Sequence, residues 1–172
     1  MELVRPSVEY RDSYLAAIAE FEDVGLRNRG LPFRYENYKE DFERFVAQLN
    51  AMSDEEGLLK GRVPQTDYWL IDQGEYIGRV SIRHSLTPDL NISGGQIGYD
   101  IRPSMRGRGY GKKILELALP KVRELGLDRV LLTCDETNAA SRKIIEVNGG
   151  ILENKVPNPE GGPDKLRFWI QL

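Results

Sequence analysis

The sequence predicts an α/β protein of the α+β type, with a central mixed sheet of about seven strands flanked by about four helices. Three observations predict it. Helical and strand periodicities alternate from one end of the chain to the other. A long amphipathic helical pattern sits between two strand patterns, as a strand-helix-strand unit requires. No repeat, low-complexity tail or linker interrupts the order, and 172 residues fall within the ~100–200 of one domain. Residues 1–172 are therefore expected to form a single domain.

Glu2 to Arg5 reads as a short first strand. Ser7 caps a helix running towards Val24, with Tyr10, Tyr14, Leu15, Ile18 and Phe21 near one stripe. Gly25 to Phe33 reads as a loop. Asn37 followed by Glu40 resembles a capping box, and Phe42, Phe45, Val46 and Leu49 continue it at helical spacing. Ser53 to Gln65 reads as a second long loop. Tyr68 to Ile71 and Tyr76 to His84 form a hairpin around Asp72, Gln73 and Gly74. Gln96 to Ile101 is another strand. The longest helix runs from about Gly111 to Leu125, is stopped by Gly126, and should kink at Pro120. Val130 to Thr133 is a short apolar strand of the kind found at a sheet centre. Asn138 or Ala139 opens a last helix, ended by Asn148, Gly149 and Gly150. Ile151 to Val156 and Leu166 to Leu172 are the final strands. The unit from Gln96 to Thr133 should be parallel and right-handed.

Composition narrows the chemistry. One cysteine, Cys134, excludes an internal disulfide framework and a cysteine-rich zinc site. One histidine, His84, excludes a His-pair metal site, so no metal is expected. Basic residues number 24 and acidic ones 27, a balance that argues against a nucleic-acid partner. No apolar run is long enough to cross a bilayer and no signal-peptide pattern begins the chain, so a cytoplasmic protein is expected.

Arg102 to Lys113, R-P-S-M-R-G-R-G-Y-G-K-K, is the most informative stretch. It leaves a strand and opens a helix. Gly107, Gly109 and Gly111 let the backbone approach a ligand, and helix-start N–H groups favour an anion. Arg106, Arg108, Lys112 and Lys113 add positive charge. Phosphate or pyrophosphate binding is the chemistry implied. A Walker loop and a dinucleotide G-x-G-x-x-G fingerprint both fail on spacing.

Arg106-x-x-Gly109-x-Gly111 resembles the R/Q-x-x-G-x-G/A signature of the GNAT superfamily of acetyl-CoA-dependent N-acetyltransferases. A strand ending in Thr133 follows the helix. Asn138, Ala140 and Ser141 then resemble the N-x-x-S/A start of the family's next helix, and Asn148-Gly149-Gly150 stands where N-G-F is frequent. The segment from Ser81 to Gly111 looks most like a little-characterised group of predicted bacterial acetyltransferases, from which no substrate carries over. The resemblance implies a GNAT-like fold and direct acetyl transfer from acetyl-CoA to an amine.

It also implies roles. The strand carrying Tyr99, Asp100 and Ile101 would splay and bond the pantetheine arm through its backbone. N–H groups from Arg106, Gly107, Arg108, Gly109, Tyr110, Gly111 and Lys112 would hold the pyrophosphate. Asn138, with Ser141 near it, would bond the pantetheine or diphosphate region; it is equally placed as an N-cap. Lys143 or Arg142 would meet the 3′-phosphate or simply form a solvated face. The family tyrosine, seven residues after the asparagine, is replaced by Ile145, and the family glutamate by Gly95 and Gln96. His84, with an ordinary pKa of about 6.5, is the leading replacement base. Asp100 is a second base candidate and Ser141 a proton donor. Cys134 reads as a small buried hydrophobe.

The loop from Gly25 to Tyr38 would face the acceptor, with Arg27, Arg29, Arg34 and Tyr35 as substrate-binding candidates for an anionic amine, or as an ordinary solvated loop. A primary amine of a small molecule or peptide is the expected acceptor, and a homodimer stays open. Two other readings remain at this point: an acyl-CoA sensor without turnover, and a nucleotide-phosphate binder unrelated to CoA.

Overall fold

The computed structural model describes residues 1–26, 38–54, 56, 58 and 61–172. The chain begins with β1 (Glu2–Val4), a 3-10 turn at Val8–Tyr10, and α1 (Arg11–Asp23). Ser7 caps that turn by accepting the Glu9 N–H, as its position before the helical stripe predicts. α2 (Phe42–Ala51) is capped by Asp41, whose carboxylate accepts the Arg44 N–H. The expected start at Asn37 lies outside the described residues. Asp41 directly precedes Phe42, and an acidic side chain there satisfies an N–H that the helix leaves open.

β2 (Gln65–Asp72) and β3 (Glu75–Arg83) form the expected hairpin. A five-residue helix follows, α3 (Pro88–Ile92), which brings the α-helices among the described residues to five rather than four. Its signal is only a cap: Thr87 accepts the Leu90 N–H and Pro88 sits at the first turn. It is too short to display an apolar period. β4 (Ile97–Ile101), a 3-10 turn at Pro103–Met105 and α4 (Tyr110–Glu124) come next. Pro120 removes one helical hydrogen bond without ending α4. β5 (Arg129–Asp135), α5 (Ala139–Val147), β6 (Ile151–Val156) and β7 (Lys165–Gln171) complete the order.

The seven strands hydrogen-bond as two sheets, a four-stranded β1-β2-β3-β4 and a three-stranded β5-β7-β6, each antiparallel within itself. This corrects the expectation of one continuous sheet with a parallel β4–β5 ladder. Among the described residues, the hydrogen bonds that join the two strands gather just before β4, where the Gly94 N–H also donates to Thr133 Oγ1 at 2.9 Å. The Gln96 N–H donates to Leu131 O at 2.7 Å, and the Gln96 side-chain Oε1 accepts the Leu131 N–H at 2.9 Å. At that point the backbones are so close that a Cβ on Gly95 would stand 2.5 Å from Leu131 O. Beyond it the strands part.

Two cores hold the arrangement. Under α4, Val80, Ile82 and Ile97 of the first sheet meet Val130, Leu132 and Phe168 of the second, with Ile114, Leu115 and Val122 of the helix. This shared core joins the sheets where their ladders do not. On the other face of the first sheet, α1 and α2 pack an aromatic cluster, in which Tyr14 stacks on Trp69 with ring centroids 4.7 Å apart.

Candidate active site

The splay between β4 and β5 makes the site. Antiparallel pairing sends the backbone groups of alternate residues to alternate edges. Gly98 and Asp100 pair with Ser81 and Arg79, and the bonds Arg83 N to Gln96 O and Arg102 N to Ile77 O continue that phase. The N–H and C=O groups of Ile97, Tyr99 and Ile101 therefore face away from β3, into the gap.

The loop beyond β4 is held in shape by α1. The Glu20 carboxylate accepts hydrogen bonds from the Arg102 guanidinium and from the N–H and Oγ of Ser104. Burial pushes the Glu20 carboxyl up, but those donors outweigh it and hold it below its ordinary value. Arg106 donates from Nε to Ile101 O at 3.1 Å and lies 5.6 Å over the Phe21 ring. Gly109 then takes φ +87, a left-handed value that a side chain would strain. It is the N-cap of α4 and has no side-chain acceptor to offer. The N–H groups of Tyr110, Gly111 and Lys112 are thus left pointing out of the helix start, an arrangement that takes an anion. Gly111 allows α4 and α5 to pack closely, since a Cβ there would come within 2.5 Å of Ile144 Cδ1.

Two cavities open on this geometry. The first, about 410 Å³, runs past Tyr99, Asp100 and Ile101 to Arg106, Gly107 and Gly111, with Asn138, Ser141 and Ile144 opposite. The second, about 240 Å³, runs past Ile97 and Gly98 to Thr133, Cys134, Asp135 and Lys165. Tyr99, Asn138 and Ser141 line both, so they mark the neck between them. At the neck the Tyr99 hydroxyl meets Ser141 Oγ at 3.0 Å. Burial pushes the Tyr99 phenol up to about 12, so it stays protonated near neutrality. Asn138 Oδ1 accepts the Ser141 N–H at 3.0 Å, capping α5 and leaving the amide Nδ2 as a donor beside the neck.

A family model, the acetyltransferase (GNAT) domain, matches residues 5–151. The chain belongs to the GNAT acetyltransferase family. No curated protein matches it in sequence. Solved GNAT structures share its fold. The acetyltransferase from Salmonella typhimurium that modifies the N-terminal serine of 50S ribosomal subunit protein L7/L12 is 18% identical, with 99% of this chain and 94% of that one covered and a TM-score of 0.66. The microcin C7 self-immunity acetyltransferase, solved with acetyl-CoA and AMP, is 16% identical over 99% and 91%, with a TM-score of 0.70. A third, yncA from Salmonella typhimurium with acetyl-CoA, is 15% identical over 100% and 95%, with a TM-score of 0.62.

The GNAT site residues expected from sequence divide into groups. Tyr99, Ile101, Arg106, Gly107, Gly111, Asn138 and Ser141 line the first cavity together. Arg108, Tyr110 and Lys112 flank it: the Arg108 guanidinium turns to Met105 Sδ, and the Tyr110 hydroxyl donates to Asp72 at 2.8 Å, leaving only its backbone N–H for the loop. Lys143 is exposed on α5, while Arg142 pairs with Glu146. Asp100 lines the first cavity and faces Arg79 at 3.7 Å, which in turn faces buried Asp67 at 3.8 Å. His84 lines neither cavity; its ring lies 2.9 Å from Thr66 Oγ1. Ile145 is 1% exposed, in the core, so the position of the family tyrosine is taken up by packing. Cys134 belongs to the core under α4 and borders the second cavity, with burial raising its thiol. Arg27, Arg29, Arg34 and Tyr35 lie outside the described residues. Among the described residues no cluster of three or more His, Cys, Asp or Glu could hold a metal, and no helix is long and apolar enough to cross a membrane.

Sequence reasoning missed the second cavity, the Gln96 bridge and the Glu20 clasp. Gln96 and Leu131 are 35 residues apart and Glu20 and Arg102 are 82 apart, so no local spacing signals either contact.

Proposed function

We propose that the protein is an acetyl-CoA-dependent N-acetyltransferase that moves an acetyl group directly to a primary amine of a small molecule or peptide. The observation that carries this reading is the cleft where β4 leaves β5. It combines unpaired strand backbone, an anion-binding helix start and a hydroxyl pair at one neck.

The chain's own groups divide the work. The loop through Gly109 to Lys112 and the positive Arg106 bind the diphosphate of the donor. The outward N–H and C=O of Tyr99 and the N–H of Ile101 bond its pantetheine amides as an added strand edge would, the Ile101 C=O being taken by Arg106. An N–H of the same strand edge stands ready for the developing oxyanion. Tyr99, protonated, donates to Ser141 Oγ, which frees the Ser141 proton for the departing thiolate. Asp100, rather than His84, is placed to accept a proton from the incoming amine, directly or through water, because it borders the cleft and His84 does not.

Thermal shift with CoA, acetyl-CoA, ATP and NAD is the first test. A rise in midpoint with CoA and acetyl-CoA alone is expected, since a ligand that binds the folded state stabilises it by mass action. Acetyl transfer across a panel of primary amines, including a peptide beginning with serine, is the second. The burial of Ile145 where the family has tyrosine supports an alternative, an acyl-CoA sensor. CoA binding with no transfer to any amine would select it.

A further inference from the structure

The glycines around the cleft differ in what holds them as glycine. Gly94 and Gly107 take left-handed φ values, and a Cβ on Gly111 would stand 2.5 Å from Ile144 Cδ1, so that side chain would have to shift. Gly98 has neither constraint. It is the second residue of β4, with φ outside the left-handed region, and a Cβ there would meet nothing within 4 Å. Glycine weakens a strand, which favours β-branched and aromatic residues, so neither backbone nor packing accounts for it here. What Gly98 does have is a place on the wall of the second cavity, next to Tyr99 at the neck.

The direction of the missing side chain is set by the pleat. Ile97 and Ile101 point into the core under α4. Gly98 and Asp100 therefore point to the opposite face, where their ladder partners are Ser81 and Arg79. The open space at Gly98 lies on the same face as the Asp100 carboxylate, and Tyr99, with its bond to Ser141, turns the other way.

We propose that Gly98 is the acceptor port of the enzyme: the side chain it lacks is the space through which the amine reaches the thioester, and residue 98 sets how bulky that amine can be. The inference rests on the N-acetyltransferase reading above and adds to it the path of the acceptor. The amine enters from the Asp100 face, and its nitrogen bonds the acetyl carbon as the carbon–sulfur bond breaks. The ammonium sheds two protons: one leaves through Asp100 to solvent, and the second restores, through water, the proton that Ser141 gives to the thiolate. A port bounded by a single strand residue favours a nitrogen on an unbranched CH2 and makes an α-branched amine, such as an amino acid or peptide terminus, the first to be excluded when the port narrows.

The experiment compares Gly98→Ala and Gly98→Val with the wild type. Melting gives the fold, calorimetric titration with acetyl-CoA gives donor binding, and transfer is measured to amines graded by branching at the carbon bearing nitrogen. Both variants should melt at or above the wild-type midpoint and bind acetyl-CoA within about twofold. Gly98→Ala should lose kcat/KM for α-branched amines by more than about tenfold while keeping unbranched ones, the discrimination that a methyl-sized change in a pocket gives. Gly98→Val should lose both. A folded Gly98→Val that transfers to every amine at the wild-type rate overturns the port. So does one that loses acetyl-CoA binding, which would assign Gly98 to the donor. A wild type that binds acetyl-CoA but acetylates no amine overturns the function itself, and the port with it.

Discussion

The two edges of β4 have the same backbone chemistry and opposite surroundings. Towards β3 the ladder is closed, from the Arg83–Gln96 bond at one end to the Arg102–Ile77 bond at the other. Towards β5 the hydrogen bonds gather at Gly94 and Gln96, just before the strand, and beyond them is a gap. A buried peptide group left without a partner costs ~1–3 kcal/mol, so an open edge inside a fold persists only where water or a ligand can complete it. The closed edge serves stability, and the open edge is the place of the proposed chemistry. The wedge that separates them is a single side chain, Gln96, standing in for the next rung of a ladder.

The largest effect should come from the open edge. Ser141→Ala is expected to lower kcat by ~100-fold with the KM for acetyl-CoA little changed, as loss of a proton donor does. Steady-state kinetics decide it, and an unchanged kcat would leave the neck hydroxyls without a role. Gly109→Val should come next. A β-branched residue at φ +87 costs ~1–2 kcal/mol and moves the loop that presents its N–H groups, so the KM for acetyl-CoA should rise by about tenfold. A variant with normal KM would mean that the phosphates sit elsewhere.

The wedge itself is tested by Gln96→Leu. It leaves the buried Leu131 N–H without an acceptor and should lower unfolding stability in urea by ~1–3 kcal/mol. A stable variant would show that the shared core under α4, rather than Gln96, sets the splay. Glu20 gives a smaller effect with a definite sign. Its folded pKa lies below its unfolded one, so its contribution is present above the unfolded value, ~4.3, and is lost as pH falls through the folded value. Acid titration of stability should therefore lose part of its slope below about pH 4.3 in Glu20→Gln. The smallest effect is expected at the closed end. His84→Ala should keep turnover within about twofold, because the ring bonds Thr66 and borders neither cavity. A turnover loss with a shifted pH profile would return His84 to the role of base.

Much of the proposed donor side was legible in the sequence because it is local. Arg106, Gly109 and Gly111 fall within six residues, and a strand, a turn and a helix start need nothing distant to face an anion together. Asn138 was equally readable as a cap, since a cap acts on the residue three places on: its Oδ1 accepts the Ser141 N–H, and the residue lines both cavities. His84 is hard to place from sequence for the opposite reason. Being at the end of a strand says nothing about which neighbours the ring meets, and one of them is Thr66, across the β2–β3 ladder.

The sequence by itself determined the order of the strands and of the four longer helices, the glycine loop and the apolar stripes, since each depends on periodicity or spacing within one element, while the family resemblance added that Ile145 stands where tyrosine is frequent. Only the tertiary structure decided that seven strands form two sheets, that Glu20 clasps Arg102, and that Gly98 faces empty space beside Asp100. Those features depend on which face of one element meets which face of another. That relation is set by the packing of α4 across both sheets and is written in no short stretch of chain.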